Sequence, residues 1–431
     1  MWPSRVCVWT LLACLVPSVC AQDDFLAPEP LHAAGLTKYW QLRLPLDRGQ
    51  EVCDAYVVDD QIYLATQDGY VYAVDAPTGV LRWVRPVLRS THRLRRPCHA
   101  DDRTIIVTPV DVQIYARRTG DPIERWELRF PCSGAAITDG RRLYVGGLDS
   151  RLHVFDLETG QILWRVLVDG PIPALPVLVG DYIAIPSESV SVYACHRVTK
   201  AFGWQVNTTG FNAADLVADD NGVYIASQDQ SLYLVNPEFG QIKWRVRCSS
   251  PLREPPFVTP TLAFQYSPAD GIVAIETGAG LEIGSAPVRW RLAEGRHVLA
   301  THDNTVFVLT RGGDLLAVNV IDGVVRQAVP SNGLLLALPV RGHPTVLLAA
   351  ADGRVFCARP LGVPPLRAED IRGALRPPGG TSGSSAASQP TTRPAAGASK
   401  TTDPLSTGDR GVPLGGKSSV TRELQGRDRR D

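Results

Sequence analysis

One recurring pattern restricts what this chain can fold into more than its size or composition does. It is clearest in Asp68-Gly69-Tyr70-Val71-Tyr72-Ala73-Val74-Asp75-Ala76-Pro77-Thr78-Gly79-Val80-Leu81-Arg82-Trp83. The Asp-Gly pair suits a type I′ hairpin turn, whose two central residues both take positive φ. The dense apolar run from Val71 to Val74 suits a strand covered on both faces. Thr78-Gly79 supplies a second turn, and Trp83 lies on the strand that follows. Weaker copies run from Asp149 to Trp164 and from Asp229 to Trp244.

The tryptophans measure the repeat. Trp40, Trp83, Trp126, Trp164, Trp204, Trp244 and Trp290 are spaced by 43, 43, 38, 40, 40 and 46 residues, and Gln327 stands at the next equivalent position, 37 further on. A period near 40 residues with four short strands per unit predicts a β-propeller. The last copy is incomplete: residues 344 to 359 supply inner strands and stop before any tryptophan. Lys38 to Leu44 is the reverse, a tryptophan strand with nothing before it. Pairing the two closes the ring and removes the edges that invite aggregation. The expectation is an all-β, eight-bladed propeller over residues 37–360, its last blade shared between N- and C-terminal strands. The seven tryptophans then pin neighbouring blades together. An indole buries roughly 150–250 Å², several kcal/mol at about 25 cal/mol per Å². Gln327 offers less area, so its blade is expected to be the weakest. The sixth blade also departs from the pattern, with Gly278 to Gly284 in place of the Asp-Gly turn.

The ends of the chain read differently. Arg5, the short apolar run from Val6 to Val16 and the small residues Val19-Cys20-Ala21 form a signal peptide cleaved after Ala21. That places the mature chain in the periplasm, the cell envelope or outside the cell. Leu11-Leu12-Ala13-Cys14 also resembles a lipobox, and lipidation at Cys14 is the alternative, with peripheral membrane association as its consequence. Residues 22–36 read as a linker. Residues 361–431 are rich in Pro, Gly, Ser and Thr, cannot bury enough apolar surface to offset their ordering entropy, and are expected to be disordered. The six cysteines after the leader have no metal-type spacing and read as small buried hydrophobes rather than a disulfide framework. A formal net charge of zero gives no electrostatic reason to expect nucleic acid.

The pattern Asp-Gly-x-Val-Tyr-Ala-Val-Asp-x-x-Thr-Gly-x-x-x-Trp resembles the repeat of the quinoprotein-type (PQQ-like) β-propeller family, over about residues 37–360. The resemblance implies eight blades docked through their tryptophans. It also implies one of two roles. One branch of the family holds pyrroloquinoline quinone and calcium over the central channel and oxidises alcohols or sugars. The other, BamB-like branch is non-enzymatic and docks proteins in the outer-membrane barrel-assembly machinery. Simple blades, short loops and the lack of a Cys-Cys dipeptide make this chain more similar to the second.

Residues that could carry chemistry are thinly spread. The acidic pairs Asp59-Asp60, Asp101-Asp102 and Asp219-Asp220 stand where strand-to-strand turns are expected. The histidines form no H-x-x-x-H or H-E-x-x-H arrangement, His302-Asp303 belongs to a strand and turn, and no G-x-S-x-G elbow occurs. Asn207-Thr208-Thr209 matches a glycosylation sequon. One basic cluster remains: Arg89, His92, Arg93, Arg95, Arg96 and His99, in the connection from the first complete blade to the next. It is expected to meet an acidic partner segment or another anion. The reading is a monomeric, exported, non-catalytic scaffold for protein–protein interaction, with no catalytic residue, cofactor or metal and another envelope protein as partner. The alternatives are a PQQ-dependent oxidoreductase and a propeller that binds polysaccharide or another ligand at its channel mouth.

Overall fold

The computed structural model describes residues 24–277, 284 and 286–375. The leader with Cys14, most of the irregular turn of the sixth blade and residues 376–431 lie outside them. The described chain forms eight four-stranded antiparallel sheets. Blade 1 runs outward through Val52–Val58, Gln61–Thr66, Tyr70–Asp75 and Leu81–Pro86. Blades 2 to 7 repeat it over residues 98–127, 132–167, 177–207, 217–247, 257–292 and 295–330. Blade 8 takes Leu336–Leu338, Val346–Ala349 and Arg354–Pro360 from one end of the chain and its outer strand, Leu36–Arg43, from the other. Leu36 lies opposite Pro360 and Arg43 opposite Arg354. This is the closure expected from the orphan tryptophan strand.

Burial explains why the strands lack simple alternation. Each sheet packs against one neighbour on each face, so every residue of Gln61–Thr66 is buried. The core is therefore a ring of eight clusters, one between each pair of adjacent blades. Val112 and Ile114 of blade 2 meet Leu143 and Val145 of blade 3 in one of them.

A recurrent irregularity aims the tryptophans. In blade 1, Trp83 pairs with Ala73 and Leu81 with Val74, leaving Arg82 as an extra residue. The same bulge directly precedes the tryptophan, or Gln327, in every other blade but the second, where Glu124 follows it and Trp126 lies two residues further along. A bulge bends its strand and re-aims the side chain next to it. Here the indole is turned onto the Thr-Gly turn of the following blade. That turn is held by its leading Asp, whose carboxylate accepts from the Thr78 N–H (3.1 Å) in blade 1 and the Thr159 N–H (3.0 Å) in blade 3. The glycine takes φ between 64° and 74° at Gly79, Gly120, Gly160, Gly240 and Gly323.

Three expectations need correction. Gly69 has positive φ (87°) but Asp68 does not, and the Gly69 N–H donates to Thr66 O at 2.9 Å. The hairpin is a type I turn closed by a left-handed glycine, not a type I′ turn. The supposed linker holds helix α1 (Pro28–Ala33), and Leu26, Leu31 and Ala34 are buried with Val329, Leu334 and Phe356 between blades 7 and 8. Finally, order does not stop at residue 360. Helix α2 (Ala368–Leu375) follows, because Leu366 packs against the core between blades 8 and 1 and Arg82 donates to the Ala374 carbonyl.

Candidate functional site

The tryptophans are placed between blades. Each of four donates its indole N–H to a carbonyl of the next blade: Trp40 to Ala76 (3.0 Å), Trp83 to Arg117 (3.0 Å), Trp204 to Pro237 (2.7 Å) and Trp290 to Val320 (2.9 Å). Trp164 and Trp244 lie at the same position and Trp126 two residues beyond it, and the buried Nε1 atoms of all three have no partner. For Trp164 the equivalent acceptor, Arg197 O, takes the Tyr144 hydroxyl at 3.1 Å, and Lys200 stands where other blades have glycine. The six cysteines after the leader are unpaired, four of them buried.

The basic cluster divides. Strand order puts residues 87–97 on the face that carries the Asp-Gly-type hairpins. Arg89, Arg93 and Arg96 are exposed there, and His92 is half-buried. Asp54 on the inner strand of blade 1 anchors the segment, accepting the Leu94 N–H at 3.1 Å and lying 3.8 Å from Arg93 Nη1. His99 does not belong with them. Being already inside the inner strand Cys98–Ala100, it is turned toward the opposite turns of blade 1. There its Nδ1 lies 2.8 Å from Asp59 Oδ2 and its Nε2 2.7 Å from the Tyr63 hydroxyl. Burial holds its pKa below the usual histidine value, against the pull of Asp59. His99 is a contact between blades, not part of a docking patch.

A set of groups ties blades together beside the inner strands, and the sequence named only Arg95 among them, as a member of the basic patch that it leaves here. Arg95 reaches past blade 3 to donate to Pro173 O at 3.2 Å, a carbonyl that also accepts from Ser133 Oγ at 2.8 Å. Arg341, after the inner strand of blade 8, reaches past blade 7 to Pro256 O at 2.9 Å. Part of its surface is exposed, but surrounding protein hems in the guanidinium and pushes its pKa down to about 10, and Arg96 adds to the effect. Arg296 binds Glu254 through both carboxylate oxygens at 2.5 Å. No motif marks these residues, since each occurs in one blade only.

These residues do not fit a quinone with calcium. Calcium takes six to eight oxygen ligands, and among the described residues no three His, Cys, Asp or Glu side chains converge to hold a metal. Among the described residues no helix is long and apolar enough to cross a membrane.

Comparison with known proteins finds relatives of both kinds, assembly factors and a dehydrogenase. The chain is 27% identical over 123 residues to the outer membrane protein assembly factor BamB of Shewanella oneidensis, 27% of this chain and 31% of that protein. It is 24% identical over 207 residues to BamB of Moranella endobia, 45% of this chain and 43% of that one. It is also 32% identical over 127 residues to the quinohemoprotein alcohol dehydrogenase ADH-IIG of Pseudomonas putida, 30% of this chain but 13% of the enzyme. The chain thus spans less than half the length of each of these relatives. Among solved structures, BamB from Moraxella catarrhalis superposes with a TM-score of 0.60 at 16% identity, covering 75% of this chain and 99% of that one, a likeness of fold. Residues 111–210 and 188–358 match the family described as outer membrane protein assembly factor BamB. Blades 2 to 8 carry that match, and the chain belongs to this family of β-propellers.

Proposed function

We propose that this protein is an exported, non-catalytic scaffold that docks another protein of the cell envelope through the face bearing residues 87–97. One observation carries the reading: Arg89 and Arg96 are exposed there and have no hydrogen bond or ion pair among the described residues. Free guanidinium groups suit the carboxylates of an acidic partner segment, which they grip through paired hydrogen bonds. Kinship with outer-membrane assembly factors supports the envelope as the place. The test is affinity capture from envelope extracts with the mature chain and with Arg89→Ala, Arg93→Ala and Arg96→Ala combined. Arg95 is left alone because it ties blades together. Partners held by the wild type are expected to be lost from the triple variant, and more so at high salt. Identical capture by both proteins would sink the idea.

A quinoprotein oxidoreductase is the second reading, favoured by the similarity to the alcohol dehydrogenase. Titration with pyrroloquinoline quinone and calcium, followed by absorbance and dye-linked alcohol oxidation, separates the two. No saturable binding is expected. Turnover would place this chain in the enzymatic branch.

A further inference from the structure

The interface between blades 2 and 3 departs from the repeat in one consistent direction. A methyl group built on Gly160 would lie 3.2 Å from the Trp126 indole, against 2.6 Å for Gly79 on Trp40 and 2.7 Å for Gly240 on Trp204. Trp126 follows Gly120 by six residues where Trp83 follows Gly79 by four, so Glu124 takes the place after the bulge and Trp126, two residues further along, meets Gly160 only with the edge of its six-membered ring. Its N–H does not reach the carbonyl of Leu157, the counterpart of Ala76 and Arg117, and is left buried without a partner. The gap is a cleft of about 810 Å³, within the usual range of roughly 300–1,000 Å³ for ligand sites.

The lining is rich in donors. On the floor, Phe130 lies flat on the His153 ring, 3.5 Å between centroids. Arg165 Nε donates to His153 Nδ1 at 3.1 Å, so Nε2 carries the proton and donates to Asp149 at 3.1 Å. Arg151 also lies 3.4 Å from Asp149, so that carboxylate is already engaged. Arg129 has no partner among the described residues, and nor do the Nη groups of Arg165. Glu127 is the one opposing free charge in the lining.

The cleft opens beside a bare sheet edge. Ile162–Leu167 is the outer strand of blade 3, and no described segment pairs with its far side. Leu163 and Leu167 on it are 47% and 67% exposed. At the matching edge of blade 5 the chain itself shows what such an edge can take. The Arg245 N–H donates to Gly284 O at 3.0 Å, and Lys243 O accepts the Gly284 N–H at 3.1 Å, a parallel bridge onto Trp244. The corresponding groups in blade 3 are the Arg165 N–H and the Leu163 carbonyl. Arg165 and Leu167 pair with His153 and Arg151, so they share the face turned to the cleft. A strand added here would send alternate side chains into it.

We propose that the cleft between blades 2 and 3 is a peptide-binding site, which takes an extended partner segment as a fifth strand of blade 3, with acidic side chains directed at Arg129, Arg165 and the Trp126 N–H. It rests on the scaffold reading but uses a different surface from residues 87–97.

The probe is a fluorescein-labelled peptide of alternating Asp and Val, about eight residues long to match a strand, titrated into the full chain by anisotropy. A peptide with Lys for Asp and an oligogalacturonate are the comparisons. The acidic peptide is expected to bind saturably and the Lys peptide not at all. Arg129→Glu should weaken binding about tenfold, as loss of a charge-assisted contact does. Leu167→Pro should weaken it about fivefold, because it removes an outward-facing N–H that the sheet itself does not use. Trp126→Phe, which keeps the ring but not the N–H, should weaken it as well. No saturable binding by the acidic peptide up to about 1 mM, the weak end of measurable affinity, overturns the proposal. So does binding that neither Arg129→Glu nor Leu167→Pro changes. Oligogalacturonate binding that Arg129→Glu abolishes and Leu167→Pro leaves intact would make the cleft a sugar site instead. Envelope capture that survives Arg129→Glu and Leu167→Pro keeps the scaffold reading whatever becomes of the cleft.

Discussion

At the scale of single residues, the fold depends on a glycine and an indole that meet at five of the interfaces between blades, at Gly79, Gly120, Gly160, Gly240 and Gly323. Gly79 needs its φ of +71°, and any Cβ there would also collide with the Trp40 ring. Gly180 separates the two costs, since it has φ +54° but nothing within 4 Å. Gly180→Ala is expected to lose about 1–2 kcal/mol, the cost of left-handed backbone. Gly79→Ala should lose about 2–4 kcal/mol, because overpacking typically adds another 1–3. Urea midpoints of the two variants make the comparison, and equal losses would show that the indole yields freely. Histidines set a second dependence. Burial depresses the pKa values of His99 and His153, and that of His297 to about 4, from an ordinary 6.5; Arg296 adds to the effect at His297. Between those values the unfolded chain binds protons that the folded chain refuses, so stability falls as pH falls. It should be complete above about pH 6.5 and decline toward pH 4–5. His297→Gln removes one such group, so its urea midpoint should change less between pH 7 and pH 5 than that of the wild type.

At the scale of elements, what repeats was legible and what occurs once was not. The tryptophan spacing, the Thr-Gly turns and the orphan strand at Trp40 gave the blades and their closure, because each signal came in many copies. Helix α1 is six residues long and begins Pro28-Glu29-Pro30, too short for a helical period to emerge. Packing rather than propensity makes it a helix. The basic cluster was visible as composition, yet its members parted where the strand at Cys98 begins. Arg95 was visible only as a member of that cluster and Arg341 not at all, because their partners are backbone carbonyls far away in sequence. The cleft went unread although its cause is in the sequence: Trp126 follows Gly120 by six residues where Trp83 follows Gly79 by four, and a ruler laid from tryptophan to tryptophan hides that shift. Helix α2 tests the point about packing. It is held by the Arg82 bond to Ala374 O, by burial of Ala374 and by Leu366. Leu366→Ser, which leaves the buried ion pair of Arg82 with Asp75 intact, should therefore speed hydrogen exchange of residues 368–375 while the propeller's unfolding midpoint moves by less than about 2 kcal/mol, the worth of one partly buried leucine. A large fall in that midpoint would mean that α2 is integral to the ring.

At the scale of the whole molecule, stability is a ring of eight similar interfaces, and a ring is only as sound as its closure. Seven interfaces carry a tryptophan and the eighth, after Gln327, does not. That is where α1 packs, so Leu26 and Leu31 supply the apolar contact that an indole supplies elsewhere. The segment that fills this gap continues directly into the closing strand, whose Leu36 and Trp40 are buried in two successive interfaces. Deleting residues 24–43 therefore removes the substitute pin, the eighth blade's outer strand and one of the seven tryptophans together. Loss of buried Leu side chains costs about 2–5 kcal/mol each and of Trp about 3–5, which together are as large as the roughly 5–15 kcal/mol that hold a typical domain folded. It also bares the edge of Arg354–Pro360 for pairing with other chains. The truncated chain is expected to be unfolded or aggregated by circular dichroism and light scattering. A synthetic peptide of residues 24–46 added in trans should restore the monomer, since closure is non-covalent between these strands. A truncated chain that stays monomeric and cooperatively folded without the peptide would show that the seven remaining blades close on themselves.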